Sequence, residues 1–337
     1  MVESVLIIYN AVDSQITPGE KPAWLESNAG VLNEVKLAAD TFEKLGIDYQ
    51  TESLRKLEEL PGILAHSSHK IVFNLVEELP EHITHACYVP AICRAHGKAF
   101  TGNDTAGLLL AQNKWHTKAV LKASGLPCPY GVLVPIGPKI RLPDLPPGKY
   151  IVKPPFSDAS EGIDISSVVD VPGKALRKVV KRVHEQLKQP ALVEQFIPER
   201  ELNISVLQQN GVLQVLPLAE IDFSKFDANS PRIVDYSAKW IPDSFAYNNT
   251  PRIIPTELST RADRLVRQYA IDACRTIGCQ DYARVEFRLD KNENLFILEV
   301  NPNPDISLDA GYVAALEAEG ISFEDFIKIL LNNALNR

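Results

Sequence analysis

Apolar and polar residues follow two different periods along this chain, and these periods divide its first third into predicted strands and helices. Continuous apolar runs of strand length occur at 4–9 and 70–75. Apolar residues return with a helical period over 31–45 and around 88–96, and a glycine directly follows each of these segments. This β-α-β-α order predicts an open α/β sheet.

The remainder of the chain has the pattern of short strands separated by helices, with a Pro-rich connector at 134–148. Ser322 and Asp325 resemble a capping box that opens a final helix. The predicted strands are 150–153, 191–196, 202–207, 212–219, 282–289 and 295–300. The predicted helices are 114–124, 174–189 and 257–277. We therefore expect an α/β and α+β protein in which an open α/β domain comes first.

Length and charge exclude several classes of function. At ~150 residues per domain, 337 residues correspond to two or three domains. The net charge of −8 argues against a nucleic-acid or acidic-membrane partner. No apolar run reaches the ~18–20 residues of a membrane span, and the first residues lack the pattern of a signal peptide. The five cysteines include no C-x-x-C pair, which favours a reduced, cytoplasmic protein.

Familiar short motifs are missing from the sequence. None of the 17 glycines stands in a G-x-G triplet, so the dinucleotide-binding fingerprint is absent. The sequence also lacks the G-x-S-x-G motif of hydrolases and the H-E-x-x-H motif of zinc enzymes. Any nucleotide must therefore be bound by side chains on a sheet.

The strongest candidate chemistry lies in the last two predicted strands and in the loop 291–294 between them. This loop is rich in turn-forming residues, which predicts a four-residue hairpin. If Asp290 lies opposite Leu295, the same register brings Glu286 opposite Glu299. Directly opposed side chains have Cβ atoms ~4.5–5.5 Å apart, so these two carboxylates would be close neighbours.

Two carboxylates at that distance repel each other unless a cation lies between them. A magnesium ion with ATP phosphates suits this position, because Mg²⁺ prefers oxygen ligands. The same register sets Arg284 opposite Asn301, beside the acidic pair. The alternative is a solvent-facing pair of glutamates whose repulsion is relieved by Arg284 and Arg288.

Two other segments suit a nucleotide. Lys153 ends an apolar strand directly before two prolines, where its ammonium group can hold a phosphate. The small residues of the following loop, 156–162, suit closure over phosphates by backbone N–H groups. Glu194 ends a further strand and Glu201 follows after a short turn, and such acceptors suit an adenine amino group and a ribose. Taken alone, each glutamate is better interpreted as an ordinary surface acid.

As an ordered set, these residues resemble the ATP-grasp enzymes and, within them, the D-alanine–D-alanine ligases. The matching positions are Lys114, Lys153, Ser160, Gly162, Glu194, Glu201, Lys239, Arg284, Glu286, Glu299 and Asn301. The resemblance covers about 100–337 well and the first third only in outline. It implies an ATP-grasp fold divided into an N-terminal domain, a central subdomain and a C-terminal subdomain, at 1–110, 111–198 and 199–337.

The resemblance also implies a role for each matched side chain. ATP would be held by Lys114, Lys153, Glu194, Gln195, Ile197 and Glu201. Two Mg²⁺ ions, with Mn²⁺ as an alternative, would be bound by Glu286, Glu299 and Asn301. Arg284 would stabilise the acyl phosphate and the tetrahedral oxyanion, and Lys239 and Ser160 would lie in loops that close over the substrates.

The function implied is an ATP-dependent ligase that joins a small, amino-acid-like carboxylate to an amine through an acyl phosphate. Its expected partners are small molecules, with no nucleic acid and no membrane, and a homodimer is compatible with it. One alternative is a D-alanine–D-alanine ligase of cell-wall synthesis. A second is an ATP-grasp kinase or a nucleotide-binding protein without turnover.

The residues expected to bind the two substrates depart from the family's pattern. The family's N-terminal glutamate has no match here, and Asp13 or Glu20 is a candidate replacement. Positions at which the family has serine, tyrosine and serine hold Ala159, Trp240 and Ala310. Asp305 and Asp309 add negative charge near the expected acceptor, which favours a larger or cationic amine. We therefore expect D-alanine paired with D-alanine not to be the preferred reaction.

Overall fold

A computed structural model of the chain describes residues 4–12, 24–157 and 160–337. Three residues that the sequence analysis placed near the substrate lie outside these ranges: Asp13, Glu20 and Ala159. The strands are β1 Ser4–Asn10, β2 Asp48–Leu54, β3 Ile71–Leu75, β4 Ala99–Phe100, β5 Gly131–Val134, β6 Gly148–Lys153, β7 Val168–Val171, β8 Ala191–Gln195, β9 Arg200–Gln209, β10 Val212–Val215, β11 Ala219–Ile221, β12 Arg252–Ile253, β13 Tyr282–Leu289 and β14 Leu295–Asn301.

The α-helices are α1 Trp24–Leu45, α2 Leu60–His66, α3 Val89–Ala95, α4 Thr105–Ala111, α5 Lys114–Ala123, α6 Ala175–Gln186, α7 Tyr236–Trp240, α8 Phe245–Asn248, α9 Thr260–Ile277, α10 Gly311–Glu319 and α11 Phe323–Leu335. Two helix ends match the sequence signals closely. Ser322 caps α11 by accepting a hydrogen bond from the Asp325 amide, as predicted. Helix α9 ends at Gly278, whose φ of 82° lies in the left-handed region that favours glycine.

The first four strands form a parallel sheet in the order β2-β1-β3-β4, which confirms the predicted open α/β sheet. Val5 and Ile7 of β1 enter the core beneath α1 and α11, whereas Leu6 and Ile8 enter the core beneath α2 and α3. Burial on both faces explains why β1 is a continuous apolar run. The edge strand β2 escaped prediction because it is mostly polar and only Leu54 is buried.

The second sheet is antiparallel, in the order β5-β8-β6-β7, and α6 packs on it. Helix α6 buries Leu176, Val180 and Val183 in the core beneath this sheet. In this sheet Lys153 at the end of β6 pairs with Leu192, and Glu194 of β8 pairs with Ile151. The ends of β6 and β8 therefore bring a lysine and a glutamate of the predicted site into neighbouring strands.

The third sheet has the order β12-β11-β9-β13-β14, and β10 also pairs with β9. Helix α9 packs beneath it, against the buried residues of β9, β13 and β14. The strand predicted over 212–219 is two strands, β10 and β11, with Pro217 between them. Proline has no amide donor for a ladder, so this break has a local cause.

The three sheets lie within 4–100, 131–195 and 200–301. The domain boundaries predicted from the sequence fall between these sheets and remain a prediction. Helices α10 and α11 pack back on the first sheet, where Tyr312, Phe326 and Leu330 share a core with β1 and β3. The first and third sheets thus share one hydrophobic core.

Candidate active site

The acidic pair lies on the polar face of the third sheet. Glu286 of β13 faces Glu299 of β14, and Arg284 faces Asn301, as the sequence predicted. The register at the loop is different, because Leu289 lies opposite Leu295 in the position predicted for Asp290. Strand β14 has a β-bulge between Ile297, the partner of Phe287, and Glu299, the partner of Glu286. The extra residue of the bulge restores the predicted pairing of the two glutamates.

Asp290 belongs to the turn itself, which explains the error in the register. Its carboxylate accepts hydrogen bonds from the amides of Asn292 and Asn294, at 2.8 and 2.9 Å. Its own amide donates to the carbonyl of Asn294 at 3.1 Å. Asp290 is thus the first residue of the turn, and the strand ladder ends one residue earlier, at Leu289.

Arg284 holds the carboxylate of Glu286 in place. Its Nη2 and Nε atoms donate to Glu286 Oε1 at 2.7 and 3.2 Å, and both side chains are largely buried. Burial lowers the pKa of the Arg284 guanidinium, but the neighbouring carboxylate of Glu286 outweighs this effect and raises it. The guanidinium therefore remains a fixed positive charge beside the acidic pair.

Lys114 binds the other glutamate of the pair. Its Nζ atom lies 3.2 Å from Glu299 Oε2 and donates to the carbonyl of Ser157 at 2.7 Å. Burial favours the protonated form of Glu299, but the ammonium groups of Lys114 and Lys153 outweigh it and lower the pKa to about 2. Glu299 is thus an ionised acceptor at neutral pH.

Glu194 is fully buried between two lysines. It accepts a short hydrogen bond from Lys118, and its Oε2 atom lies 3.2 Å from Lys153 Nζ. Burial raises the pKa of Glu194, but these two ammonium groups outweigh it and keep the pKa below its usual range. Burial also lowers the pKa of Lys118 to about 8.

Lys118 was missed by the sequence reasoning. It lies four residues after Lys114 on α5, and this spacing places both side chains on one face of the helix. That spacing is the signal that would have found it. The capped start of α5 fixes both lysines, because Asn113 accepts from the amides of Trp115 and His116 at 2.9 and 3.2 Å.

Glu201 is paired with Arg288, whose Nη2 atom donates to Glu201 Oε2 at 2.5 Å. Arg288 also donates to the carbonyl of Ile197 at 3.3 Å, and its guanidinium lies over the rings of Phe196 and Phe223. Burial raises the pKa of Glu201 despite this partner. Arg288 therefore serves Glu201 and Ile197, which corrects the alternative that it relieves the acidic pair.

The predicted loop residues lie where two segments meet. Ser160 Oγ donates to the carbonyl of Val234 at 2.7 Å, and the amide of Tyr236 donates to Ile163 at 3.1 Å. Lys239 follows on the short helix α7, and its positive charge acts on Glu299. The Gln195 amide is bonded to a neighbouring carbonyl in the ladder, while the Gln195 side chain is exposed.

The oxygen atoms on this face suit a hard divalent cation. Asn203 lies opposite Glu286 on the other side of β13, and its Oδ1 atom is buried without a hydrogen-bond partner. Asn301 Oδ1 accepts from the Asn303 amide at 2.8 Å and keeps a second lone pair. In the described part of the chain no three His, Cys, Asp or Glu residues gather as a metal site. Two carboxylates with amide oxygens fit Mg²⁺, which usually keeps waters and phosphate oxygens as its other ligands.

Two residues near the expected acceptor, Glu34 and Arg252, were not selected by the sequence reasoning, whereas their neighbours Asp305 and Asp309 were. Glu34 of α1 is buried and accepts from the Ile306 amide at 2.7 Å, and burial raises its pKa well above its usual range. Asp305 accepts from the amide and hydroxyl of Ser307, at 2.7 and 2.6 Å. Arg252 donates to the carbonyl of Asp309 at 3.2 Å. A buried glutamate within a helix and an arginine in a two-residue strand have no sequence signature.

Across the described ranges, every helix is too short or too polar to cross a lipid bilayer. All five cysteines are free thiols, and four of them are buried.

Comparison with known proteins finds a matching family model and related sequences. Residues 149–332 match the family model described as the D-ala D-ala ligase C-terminus. The chain is 33% identical over 247 residues to a D-alanine–D-alanine ligase of Carboxydothermus hydrogenoformans, covering 69% of this chain and 72% of the relative. It is 30% identical over 281 residues to an uncharacterized protein of Sinorhizobium fredii, covering 82% and 78%.

Solved structures show the same fold. The structure of a D-alanine–D-alanine ligase from Bacillus anthracis complexed with ATP superposes with a TM-score of 0.74 at 16% sequence identity. The match covers 99% of this chain and 98% of that one. A D-alanine–D-alanine ligase structure from Coxiella burnetii gives a TM-score of 0.68 over the whole of this chain.

Proposed function

The chain belongs to the D-alanine–D-alanine ligase family of ATP-grasp enzymes, and from that premise we propose how its residues perform the ligase reaction. The enzyme is an ATP-dependent carboxylate–amine ligase. It joins a small, amino-acid-like carboxylate to an amine through an acyl phosphate. The observation that carries our assignment of roles is the opposed pair Glu286 and Glu299, bordered by Arg284 and Lys114.

We assign the nucleotide to the space between the second and third sheets. Lys114, which contacts Glu299, and Lys153, which contacts Glu194, would bind its phosphates. An ionised carboxylate can only accept hydrogen bonds, so Glu194 suits the amino group of adenine. Gln195 and Ile197 would border the base with their backbone. Glu201, held by Arg288, would accept from the ribose hydroxyls.

We assign Mg²⁺ to Glu286, Glu299 and Asn301, with two ions expected and Mn²⁺ as an alternative. The metal, when bound, neutralises negative charge on the phosphate oxygens. The buried Asn203 oxygen supports this assignment, because an unpaired acceptor beside two carboxylates is satisfied by a cation or by its water.

The reaction has two steps. A carboxylate oxygen of the first substrate attacks the γ-phosphorus of ATP, the bond to the bridging oxygen breaks, and ADP leaves. The amine nitrogen of the second substrate then attacks the acyl carbon, the bond to the phosphate oxygen breaks, and phosphate leaves while the nitrogen loses a proton.

Each step develops negative charge close to a fixed cation. Arg284 would stabilise the oxyanion of the second step, and it is already fixed by Glu286, so little reorganisation is required. Ser160 and Lys239 lie on two segments that contact each other, and the charge of Lys239 acts on Glu299. Their closure would exclude water, which otherwise hydrolyses an acyl phosphate.

A pairwise matrix of D- and L-amino acids, incubated with Mg-ATP, tests the function directly. Release of both ADP and phosphate that requires a carboxylate and an amine together is the result expected for the ligase. ADP formation with an alcohol acceptor alone would support the kinase alternative. ATP binding without any turnover would support a nucleotide-binding protein.

The free thiols are consistent with a reducing compartment, so we propose a cytoplasmic location.

A further inference from the structure

Asn301 lies at the last pair of the ladder between β13 and β14, where it faces Arg284. The chain continues with Pro302, which has no amide hydrogen to donate to a further pair. Pro302 is buried, and a buried carbonyl needs a hydrogen-bond donor. The position of Asn301 therefore depends on the group that binds the chain directly beyond it.

The side chain of Asn103 provides that donor. Its Nδ2 atom donates to the carbonyl of Pro302 at 2.5 Å and to the carbonyl of Tyr282 at 2.8 Å. Its Oδ1 atom accepts from the amide of Gln280 at 2.5 Å. Asn103 is 2% exposed, so these bonds are shielded from water. A single side-chain amide thus joins the chain beyond β14 to the start of β13.

A second connection leads from Asn103 to Asn301. Tyr282, whose carbonyl accepts from Asn103, donates from its hydroxyl to Asn303 Oδ1 at 3.1 Å. The amide of Asn303 in turn donates to Asn301 Oδ1 at 2.8 Å. Asn103 is therefore connected to Asn301 through the main chain at Pro302 and also through the ring of Tyr282.

The backbone that carries Asn103 is fixed from two sides. The amide of Thr101 donates to the carbonyl of Val72 at 3.0 Å, in the first sheet. The amide of Gly102 donates to the carboxylate of Asp281 at 2.7 Å, directly before β13 of the third sheet. These bonds hold the segment against both sheets, so the fold itself orients the side chain of Asn103.

We propose that Asn103 is a positioning residue of the metal site, which fixes the end of β14 and with it the amide oxygen of Asn301. The inference rests on the proposed function, because Asn301 is a metal ligand only under that assignment. Asparagine suits this position, since its amide offers two donor hydrogens for two carbonyls and one acceptor oxygen for a backbone amide. Groups that orient a metal ligand typically contribute about 10–100-fold to metal affinity.

The test measures Mn²⁺ binding by electron paramagnetic resonance, in the presence of the β,γ-imido analogue of ATP, which is not hydrolysed. Asn103→Ala and Asn103→Asp should each lower the Mn²⁺ affinity by about tenfold or more, because neither side chain can donate to the two carbonyls. Asn103→Ser keeps one donor and should give an intermediate affinity. The affinity for the analogue without metal, measured by calorimetry, should change by less than about threefold, since the nucleotide contacts are separate.

Thr41→Val is the matched control, because it removes another buried side-chain donor, the hydroxyl that donates to the carbonyl of Leu37 at 2.7 Å within α1. It should leave the Mn²⁺ affinity unchanged. Circular dichroism verifies that each variant is folded. An unchanged Mn²⁺ affinity in the folded Asn103 variants would overturn the proposal, as would an equal loss of affinity in Thr41→Val.

Glu299→Gln separates the role of Asn103 from the metal assignment itself. If wild-type enzyme binds Mn²⁺, Glu299→Gln does not bind it and the Asn103 variants bind it normally, the role of Asn103 alone is refuted. If wild-type enzyme binds no Mn²⁺ beside the nucleotide analogue, the metal assignment is refuted together with the role of Asn103.

Discussion

Lys118 donates a hydrogen bond to Glu194 in the interior of the protein, where the exposed fractions of the two side chains are 4% and 1%. Removal of one partner from a buried ion pair leaves the other charge without compensation. Lys118→Met should therefore lower the free energy of unfolding by about 3 kcal/mol, measured by urea denaturation. The double variant with Glu194→Gln should lose less than the sum of the two single losses. Lys178→Met, at an exposed position of α6, is the control, and an equal loss there would contradict the prediction.

Glu299→Gln should reduce turnover with Mg-ATP by about 100-fold or more, because the amide lacks the charge that balances a divalent cation. The fold should persist, since glutamine keeps the size of the side chain. Steady-state ADP release and Mn²⁺ binding followed by electron paramagnetic resonance provide the two readouts. Circular dichroism verifies the fold. Near-normal rates at ordinary Mg²⁺ concentration would exclude Glu299 from the metal site.

Asp281 predicts a pH dependence of stability. It is buried, bonded to the Gly102 amide and to Arg337, and burial raises its pKa to about 6 from an ordinary value of 3.8. Between these two pH values the folded chain keeps a proton that the unfolded chain loses. Stability should therefore fall as the pH rises from 4 to 6, by about 3 kcal/mol from this group. Denaturation across this range should show a smaller fall in Asp281→Asn, which does not titrate; parallel curves would disprove the assignment.

D-alanine paired with D-alanine should be a poor reaction for this enzyme. Trp240 stands where the family has a tyrosine, and Ala310 stands where the family has the second of its two serines. Ala310 offers no hydroxyl to a substrate. The loss of several hydrogen bonds to a substrate costs orders of magnitude in kcat/KM. If D-alanyl-D-alanine forms with the highest kcat/KM of all pairs in the matrix, the expectation is wrong and the enzyme is a D-alanine–D-alanine ligase.

The sequence predicted the parts of the fold that have a strong local signature. The largely buried β1 and the capped α11 were found because apolar runs and caps are local. The polar edge strand β2 was missed, since it is defined by its hydrogen bonds to β1 and not by its own composition. The pairing of β2 with β1 is a long-range contact, and the sequence of β2 alone does not indicate it.

In the candidate site, the sequence predicted that Glu286 faces Glu299 but did not predict the partners of Arg288 and Glu194. Arg288 would relieve the acidic pair in the alternative interpretation of the hairpin, but it is bonded to Glu201, because β9 lies next to β13. Lys118 was missed although it shares a helix face with Lys114. The partner of a side chain depends on the order of the strands, which the residues of one strand do not specify.

Because of the bulge in β14, the direction of the Glu299 side chain depends on the number of residues between the turn and Glu299. Leu295 and Ile297 point into the core, and strict alternation would send Glu299 into the core after them. The extra residue, Leu298, reverses the phase, so that Glu299 emerges beside Glu286 and Val300 is buried. Many substitutions at Leu298 should be tolerated on this account, whereas deletion of this single residue would turn the carboxylate inward and bring an apolar side chain to the polar face. Homologous hairpins should therefore vary in composition more readily than in length.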